Sequence, residues 1–412
     1  MLIQYSVKNY KSIKDEIIIN FTATRKNIDC GKLVNNEYDS SVYRCVGLVG
    51  PNASGKSNII DSLFFALRFI NSTIKRKEKS KINLERFMLD KISREDGATF
   101  EFIFVENAIK YIYGFTIDTE RVLEEYLLAY YSKKATTIFE RDINNISEYN
   151  FKGNDVKTQN EISQKTNANR LYMPVAAEWG YEKAKIPYKW FERMFRQYGD
   201  MNFSQVIADI VNDSYRKDIL LKALSKADFN IKDIYVKNKR LEKQHIDAFV
   251  QFLTNMIGES DTFEYIIPEE AQVIWVTHAG KNGDTFDIEI NEDSSGTRDI
   301  IDNIAEMLFI NEEGGLFIED EFGRNYHTKL AEYFLELFNS NEVNCGKAQL
   351  FFSTHDTKIL NLLNPEQIYL VDKDEDGATY VKLLDDYLIR EKDNIELGYL
   401  KGRYGAVPNI KE

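Results

Sequence analysis

Gly50-Pro51-Asn52-Ala53-Ser54-Gly55-Lys56-Ser57 is the stretch on which the reading of this chain turns. It fits the phosphate-binding loop G-x-x-x-x-G-K-[ST]. The pattern is meaningful only between a strand and a helix, and both are predicted here. An apolar run, Val42–Val49, leads into it, and Asn58–Phe69 follows with helical periodicity. The amides of such a loop and the start of the helix behind it hold phosphates. Lys56 would reach the β- and γ-phosphates, and the Ser57 hydroxyl would ligate Mg²⁺. The expected nucleotide-holding set is Gly50, Asn52, Ala53, Ser54, Gly55, Lys56, Ser57 and Asn58. The bland alternative is a chance glycine turn, and the agreement of every motif position with both flanks argues against it. The chain is expected to bind ATP or GTP.

Composition limits what else it can be. A chain of 412 residues, 43% hydrophobic, can bury a sizeable core in one large domain or two to three smaller ones. No apolar run approaches the roughly 18 residues of a membrane span, and Met1–Tyr5 enters strand-like sequence without a signal-peptide pattern. Cys30, Cys45 and Cys345 are scattered without metal spacing, which suits plain thiols in a reducing cytoplasm. A net charge of −13 argues against a chain that coats nucleic acid unaided. The most basic segment, Ile74–Lys81, is either a local nucleic-acid patch or a solvated connector, and the connector is the simpler reading. Weaker basic clusters occur at Arg216-Lys217 and Lys237–Arg240.

Elsewhere the pattern reads as follows. Strands are expected at Ile3–Val7 and Glu16–Phe21, and a β-meander at Ala98–Val105, Ala108–Ile117 and Arg121–Tyr131. Helical periodicity then appears at Tyr188–Tyr198, Phe203–Val211, Tyr215–Leu224 and His245–Met256, without sustained heptads. Strand character returns at Glu269–His278 and Thr285–Ile290. From Gly296 helix and strand alternate: helix to Phe309, strand Gly315–Glu319, helix Tyr326–Phe338, strand Ala348–Ser353, helix Thr357–Leu363, strand Gln367–Val371. That alternation means a parallel sheet with helices on its faces. The expected fold is α/β: a P-loop head of mixed or parallel sheet and helices, an antiparallel β lobe, and a helical insert. Its boundaries are set at 1–130, 131–285 and 286–412.

Three downstream motifs carry chemistry. Leu316-Phe317-Ile318-Glu319-Asp320-Glu321 is an apolar strand ending in acids. Such a strand is expected beside the phosphate-loop strand, with Asp320 helping to hold Mg²⁺ and Glu321 polarising the attacking water. Phe351-Phe352-Ser353-Thr354-His355-Asp356 ends a further strand, and His355 would report the γ-phosphate. Asp293-Ser294-Ser295-Gly296-Thr297-Arg298 opens a helix; it is either a plain N-cap or a signature whose serine and helix start bind the γ-phosphate held by a second subunit. A fourth segment, Asp372-Lys373-Asp374-Glu375-Asp376-Gly377, has the D-x-D look of a Toprim nuclease. A polar turn between strands Gln367–Val371 and Thr379–Leu384 is the better reading.

In this order, Gly50–Ser57, Ser294–Arg298, Leu316–Glu321 and His355, the chain resembles the ABC-type ATPase heads of the SMC, RecF and OLD group. More narrowly it resembles prokaryotic AAA-type ATP-binding proteins of the RloA and AbiLi kind, related to the ATPases of the Septu and PARIS anti-phage systems. Asn9-Tyr10-Lys11-Ser12-Ile13, His327 after the acidic pair, and the tail Tyr399–Pro408 add to the likeness, which covers residues 1–130 and 285–410. The resemblance implies ATP as the nucleotide and a head-to-tail dimer around it. Asn52, Gly55, Lys56 and Ser57 of one copy would face Ser295 and Gly296 of the other, with Asp320, Glu321 and His355 completing each site, and Ser294 is a further nucleotide-binding candidate. Two departures, Ser-Ser-Gly-Thr-Arg at the signature and Phe87 where a Mg²⁺-linking glutamine is expected, favour slow, ATP-gated switching.

Three functions compete. The first is a cytoplasmic regulatory ATPase, a homodimer or higher oligomer, that controls a partner effector such as a Toprim-like or HNH nuclease in anti-phage defence. It needs no membrane and no nucleic acid of its own. The second is an SMC- or RecF-like DNA-repair ATPase that binds DNA through Lys75–Lys81. The third makes this chain a nuclease through Asp372, Asp374 and Asp376.

Overall fold

The structure, a computed structural model, describes residues 1–24, 32–34, 41–199, 203–226, 230–240, 270–324, 327–390 and 393–406. The chain forms two compact units, Met1–Asp200 with Ile310–Glu412, and Met201–Phe309.

Among the described residues the first unit holds a two-stranded ribbon, Leu33–Val34 with Val42–Tyr43, and two larger sheets. One has the order Leu316–Glu319, Gln349–Thr354, Cys45–Val49, Ile368–Lys373, Thr379–Leu383. The first four strands run parallel and the last pairs antiparallel with its neighbour. The other is a seven-stranded antiparallel sheet in which Ala98–Glu106 lies between Leu2–Lys8 and Ile109–Ile117. The helix Lys56–Ser72 buries Ile59, Ile60, Leu63, Ala66, Leu67 and Ile70, one apolar stripe at helical spacing. Its Phe65 meets Phe100 of the antiparallel sheet at 5.5 Å between ring centroids, and its Ser62 hydroxyl accepts from the Tyr5 hydroxyl at 2.9 Å. The phosphate-loop helix is thereby tied to the β lobe. This is the expected α/β class, with a mixed, mainly parallel sheet and an antiparallel lobe.

One expectation is corrected. The acidic strand Leu316–Glu319 does not run beside the phosphate-loop strand Cys45–Val49; Gln349–Thr354 lies between them. The reason is burial. Every residue from Gln349 to Thr354 is buried, as a central parallel strand covered on both faces requires, whereas the acidic strand has only four residues and takes the edge. Gln349 also clasps the first strand, accepting from the Leu2 amide at 2.7 Å and donating to the Leu2 carbonyl at 2.9 Å.

Smaller differences have local causes. The run Val42–Val49 breaks at Arg44, whose guanidinium turns aside to donate to the carbonyls of Phe338 and Ser340 and to Asn341. The segment after His355 is a 3₁₀ helix, Thr357–Leu362, capped by Asp356. The helix Thr328–Asn339 starts at its cap, His327, whose Nδ1 accepts from the Lys329 amide. Residues 372–383 form the hairpin read from the sequence: Asp374 Oδ1 accepts from the amides of Asp376 and Ala378 and shapes the turn.

The stretch 131–285, expected as one insert, divides. Thr136–Asp142 and Tyr149–Phe151 extend the antiparallel sheet, and Trp190, on the helix Glu182–Gly199, stacks on Phe104 at 4.4 Å. The second unit carries helices Phe203–Asn212 and Ser214–Lys226 on an antiparallel sheet of Ile231–Arg240, Glu270–Ala279 and Thr285–Glu289. Its Ile207, Leu220, Ile234, Ile274 and Val276 are buried. The helix read at His245–Met256 lies outside the described residues. No helix among the described residues is long and apolar enough to cross a membrane.

Candidate nucleotide site

The phosphate loop follows a fully buried strand, so its position is fixed by the sheet. Its glycines are demanded by space. A Cβ on Gly50 would stand 2.1 Å from the Val371 carbonyl oxygen, and Gly55 has φ +112° with Thr379 Oγ1 2.0 Å from where its Cβ would be. Lys56 lies back across the loop, its Nζ donating to the carbonyls of Gly50 and Pro51 at 3.0 and 2.9 Å. Burial lowers its pKa, against the nearby carboxylates of Asp320 and Glu321, which raise it. Ser54 is buried and its Oγ has no hydrogen-bond partner among the described residues. Ser57 is exposed in the first turn of the helix, where amides lack intrahelical partners. An orphaned hydroxyl, a buried ammonium held by replaceable carbonyls and a helix start form a donor set that fits phosphate oxygens.

Two residues that sequence reasoning passed over brace this loop. Thr379 Oγ1 donates to the Ser54 carbonyl at 2.9 Å and lies 2.7 Å from Ser12 Oγ, which accepts from Asn58 Nδ2 at 2.6 Å. The Thr379 amide in turn donates to the Ser12 carbonyl. Thr379 belongs to the hairpin and Ser12 to the N-terminal turn, so no local pattern links them to the loop.

The acids and the histidine come from the ends of the two neighbouring strands. Asp320 Oδ1 accepts from the Ser353 hydroxyl, and the same Oγ accepts from the Glu321 amide at 2.9 Å. Ser353 is fully buried, and its carbonyl accepts from the Phe322 amide. Glu321 takes a left-handed conformation, φ +61°, uncommon for a residue with a side chain. Its carboxylate pairs with Arg324. The His355 pKa is lowered, first by burial and then by the Lys56 charge, with Glu321 and Asp320 pulling the other way, which favours neutral imidazole. His355, Glu321, Arg324, Asp356 and Asn52 line one cavity of about 370 Å³. A larger one, about 970 Å³, is lined by Gly50, Pro51, Asn52 and His355 and by Tyr399 and Leu400 of the C-terminal helix.

The structure thus brings Lys56, Asp320, Glu321, His355 and the loop residues together within the first unit. It does not include Ser294, Ser295 and Gly296 in that unit. They lie in the second, where Ser294 Oγ accepts from the Thr297 amide at 3.2 Å and caps the helix Ser295–Glu313. All three are exposed. Phe87 is buried, its amide donating to Asn9 Oδ1, so no ligand side chain stands at that position. Asp372, Asp374 and Asp376 form no metal-binding group among the described residues. Ser57 and Asp320 are the residues expected to hold Mg²⁺ beside a nucleotide.

Residues 45–361 match the family described as "AAA domain, putative AbiEii toxin, Type IV TA system". No curated protein matches the chain. Among solved structures, the chain is similar to the SMC head domain from Thermotoga maritima, at 15% identity over 93% of this chain and 98% of that one, TM-score 0.38. It is also similar to an Smc head bound to the C-winged helix domain of ScpA, at 14% identity over 92% and 96%, TM-score 0.41. An Smc head with an extended coiled coil bound to the C-terminal domain of ScpA, derived from Pyrococcus furiosus, matches at 14% over 92% and 95%, TM-score 0.36.

Proposed function

The chain belongs to that AAA-domain family, and from this premise we propose that it is a slow regulatory ATPase that closes around ATP as a pair of copies and controls a separate effector, a nuclease, in defence against phage. The observation that carries the ATPase reading is the convergence of Lys56, Asp320, Glu321 and His355 at the ends of three adjacent parallel strands.

In this reading the loop amides, Ser54 and Lys56 bind the phosphates, Lys56 exchanging its two carbonyl acceptors for phosphate oxygens. Ser57 and Asp320 would hold Mg²⁺, which when bound would neutralise phosphate charge. Ser353 fixes the Asp320 carboxylate and the Glu321 backbone with one hydroxyl. Glu321 takes a proton from water, and neutral His355 donates a ring N–H to an oxygen of the terminal phosphate. Ser294, Ser295 and Gly296 of a second copy present a helix start to the same phosphate. The anti-phage role rests on the resemblance of these motifs to the RloA and AbiLi kind.

The test is a pull-down of tagged Glu321→Gln protein expressed with its native flanking genes, read by mass spectrometry and a nucleic-acid stain. One stoichiometric nuclease-like protein supports the reading. Bound DNA without a protein partner refutes it in favour of a repair ATPase.

A further inference from the structure

We propose that Arg324 is a residue that reads the terminal phosphate and that, without nucleotide, is parked on Glu321. This rests on the reading of the cleft as a nucleoside-triphosphate site.

The turn after the acidic strand is pinned at its start. The amides of Glu321 and Phe322 are held by the hydroxyl and the carbonyl of Ser353, and the Phe322 ring is buried against Phe352 at 4.8 Å. Gly323 follows with φ +88°, and the Arg324 amide closes the turn on the Glu321 carbonyl at 2.9 Å. The backbone therefore fixes where the Arg324 side chain starts, while the side chain as a whole is 71% exposed. Its Nη1 meets Glu321 Oε2, on a carboxylate that is itself 33% exposed. A solvated pair of this kind contributes little and exchanges readily.

What the pair faces gives it a task. Glu321 and Arg324 line the cavity shared with His355 and with Asn52 of the phosphate loop. The carboxylates of Glu321 and Asp356 border that cavity, and Arg324 is the one Lys or Arg among its described lining residues. A terminal phosphate arriving beside Asn52 brings negative charge into this space. The guanidinium matches two phosphate oxygens as well as it matches a carboxylate, and the phosphate carries more charge. Arg324 then turns to the phosphate and Glu321 loses its partner. The carboxylate that is to receive a proton is masked until the phosphate that needs it is present.

Calorimetric titration with Mg²⁺–AMP-PNP and with Mg²⁺–ADP tests this on wild type, Arg324→Ala, Glu321→Gln and the double variant. Arg324→Ala is expected to weaken AMP-PNP about tenfold, the worth of one charge-assisted contact, and to leave ADP within about twofold. Glu321→Gln, which releases the guanidinium, is expected to tighten AMP-PNP, and that gain disappears in the Arg324→Ala background. An unchanged AMP-PNP to ADP ratio in Arg324→Ala, equal losses for both nucleotides, or a Glu321→Gln gain that survives without Arg324 overturns the inference while the nucleotide site stands. Failure of wild type to bind either nucleotide overturns the site and the inference together.

Discussion

Replacing Gly55 by alanine probes the phosphate loop where backbone and packing conflict most sharply. At φ +112° a side chain costs about 1–3 kcal/mol in backbone strain alone. The new Cβ would stand 2.0 Å from Thr379 Oγ1, 2.7 Å from its Cγ2 and 2.9 Å from its Cβ. Thr379 must retreat by about 1 Å, an overpacking cost of about 1–3 kcal/mol that includes weakening its bonds to Ser54 and Ser12. The total is about 4 kcal/mol, a large share of the 5–15 kcal/mol that typically holds a protein folded. Thr379→Ala removes the two closest atoms and leaves only the 2.9 Å contact with Cβ, so in that background Gly55→Ala should cost mainly the backbone part, about 2–3 kcal/mol. The assay is urea unfolding followed by tryptophan fluorescence, with Trp275 changed to Phe so that Trp179 and Trp190 report on the unit holding the loop. Equal costs of Gly55→Ala in the two backgrounds, within about 0.5 kcal/mol, would refute the clash.

Other expected outcomes are simpler. Lys56→Ala should weaken ATP binding by about 2 kcal/mol or more; unchanged calorimetric affinity would sink the phosphate-loop assignment. Glu321→Gln should bind ATP yet turn it over about 10²–10⁴-fold more slowly, and turnover equal to wild type would remove Glu321 as the base. Ser353→Ala removes the partner of the Glu321 amide and leaves the exposed Asp320 carboxylate to water, and should lower stability by about 1–2 kcal/mol; a loss below about 0.5 kcal/mol by urea unfolding would show that the two groups find other partners. Burial, helped by the Asp302 charge, pushes the Glu306 carboxyl from its ordinary 4.5 up to about 7. A raised carboxyl pKa favours the fold when protonated, so this contribution is lost as pH rises between those two values. Glu306→Gln should therefore flatten the fall in melting temperature between pH 5 and pH 8, by at most about 3 kcal/mol in stability; an unchanged slope would locate the pH dependence elsewhere.

The phosphate loop was legible because each of its positions answers a local demand: no side chain fits at Gly50 or Gly55, and a helix must start at Lys56. The hairpin at Asp372–Thr379 was legible for the same reason, its acids and Gly377 being turn residues. Periodicity names elements but not their neighbours, so the interposed Gln349–Thr354 strand was misplaced, although its unbroken apolar run is the mark of a central strand. Thr379, Ser12 and Ser353 act across long sequence distances on backbone groups, and hydroxyls of that kind leave no spacing to read. Arg324 is near its partner in sequence, but an arginine three residues beyond an acid on a turn looks like any surface residue. The short strands Thr136–Asp142 and Tyr149–Phe151 were hidden beside stronger helical signals downstream.

The brace on the phosphate loop also sets an order of events during synthesis. Ser54 and the hydroxyl that supports it are 325 residues apart. At about 5–20 residues per second, roughly 16–65 seconds separate the emergence of the loop from that of Thr379. Throughout that interval the nascent chain carries the whole motif without the support of Thr379. A nucleotide site that depends on this brace would form late in the protein's own manufacture, and a chain cut short before the hairpin would lack the brace.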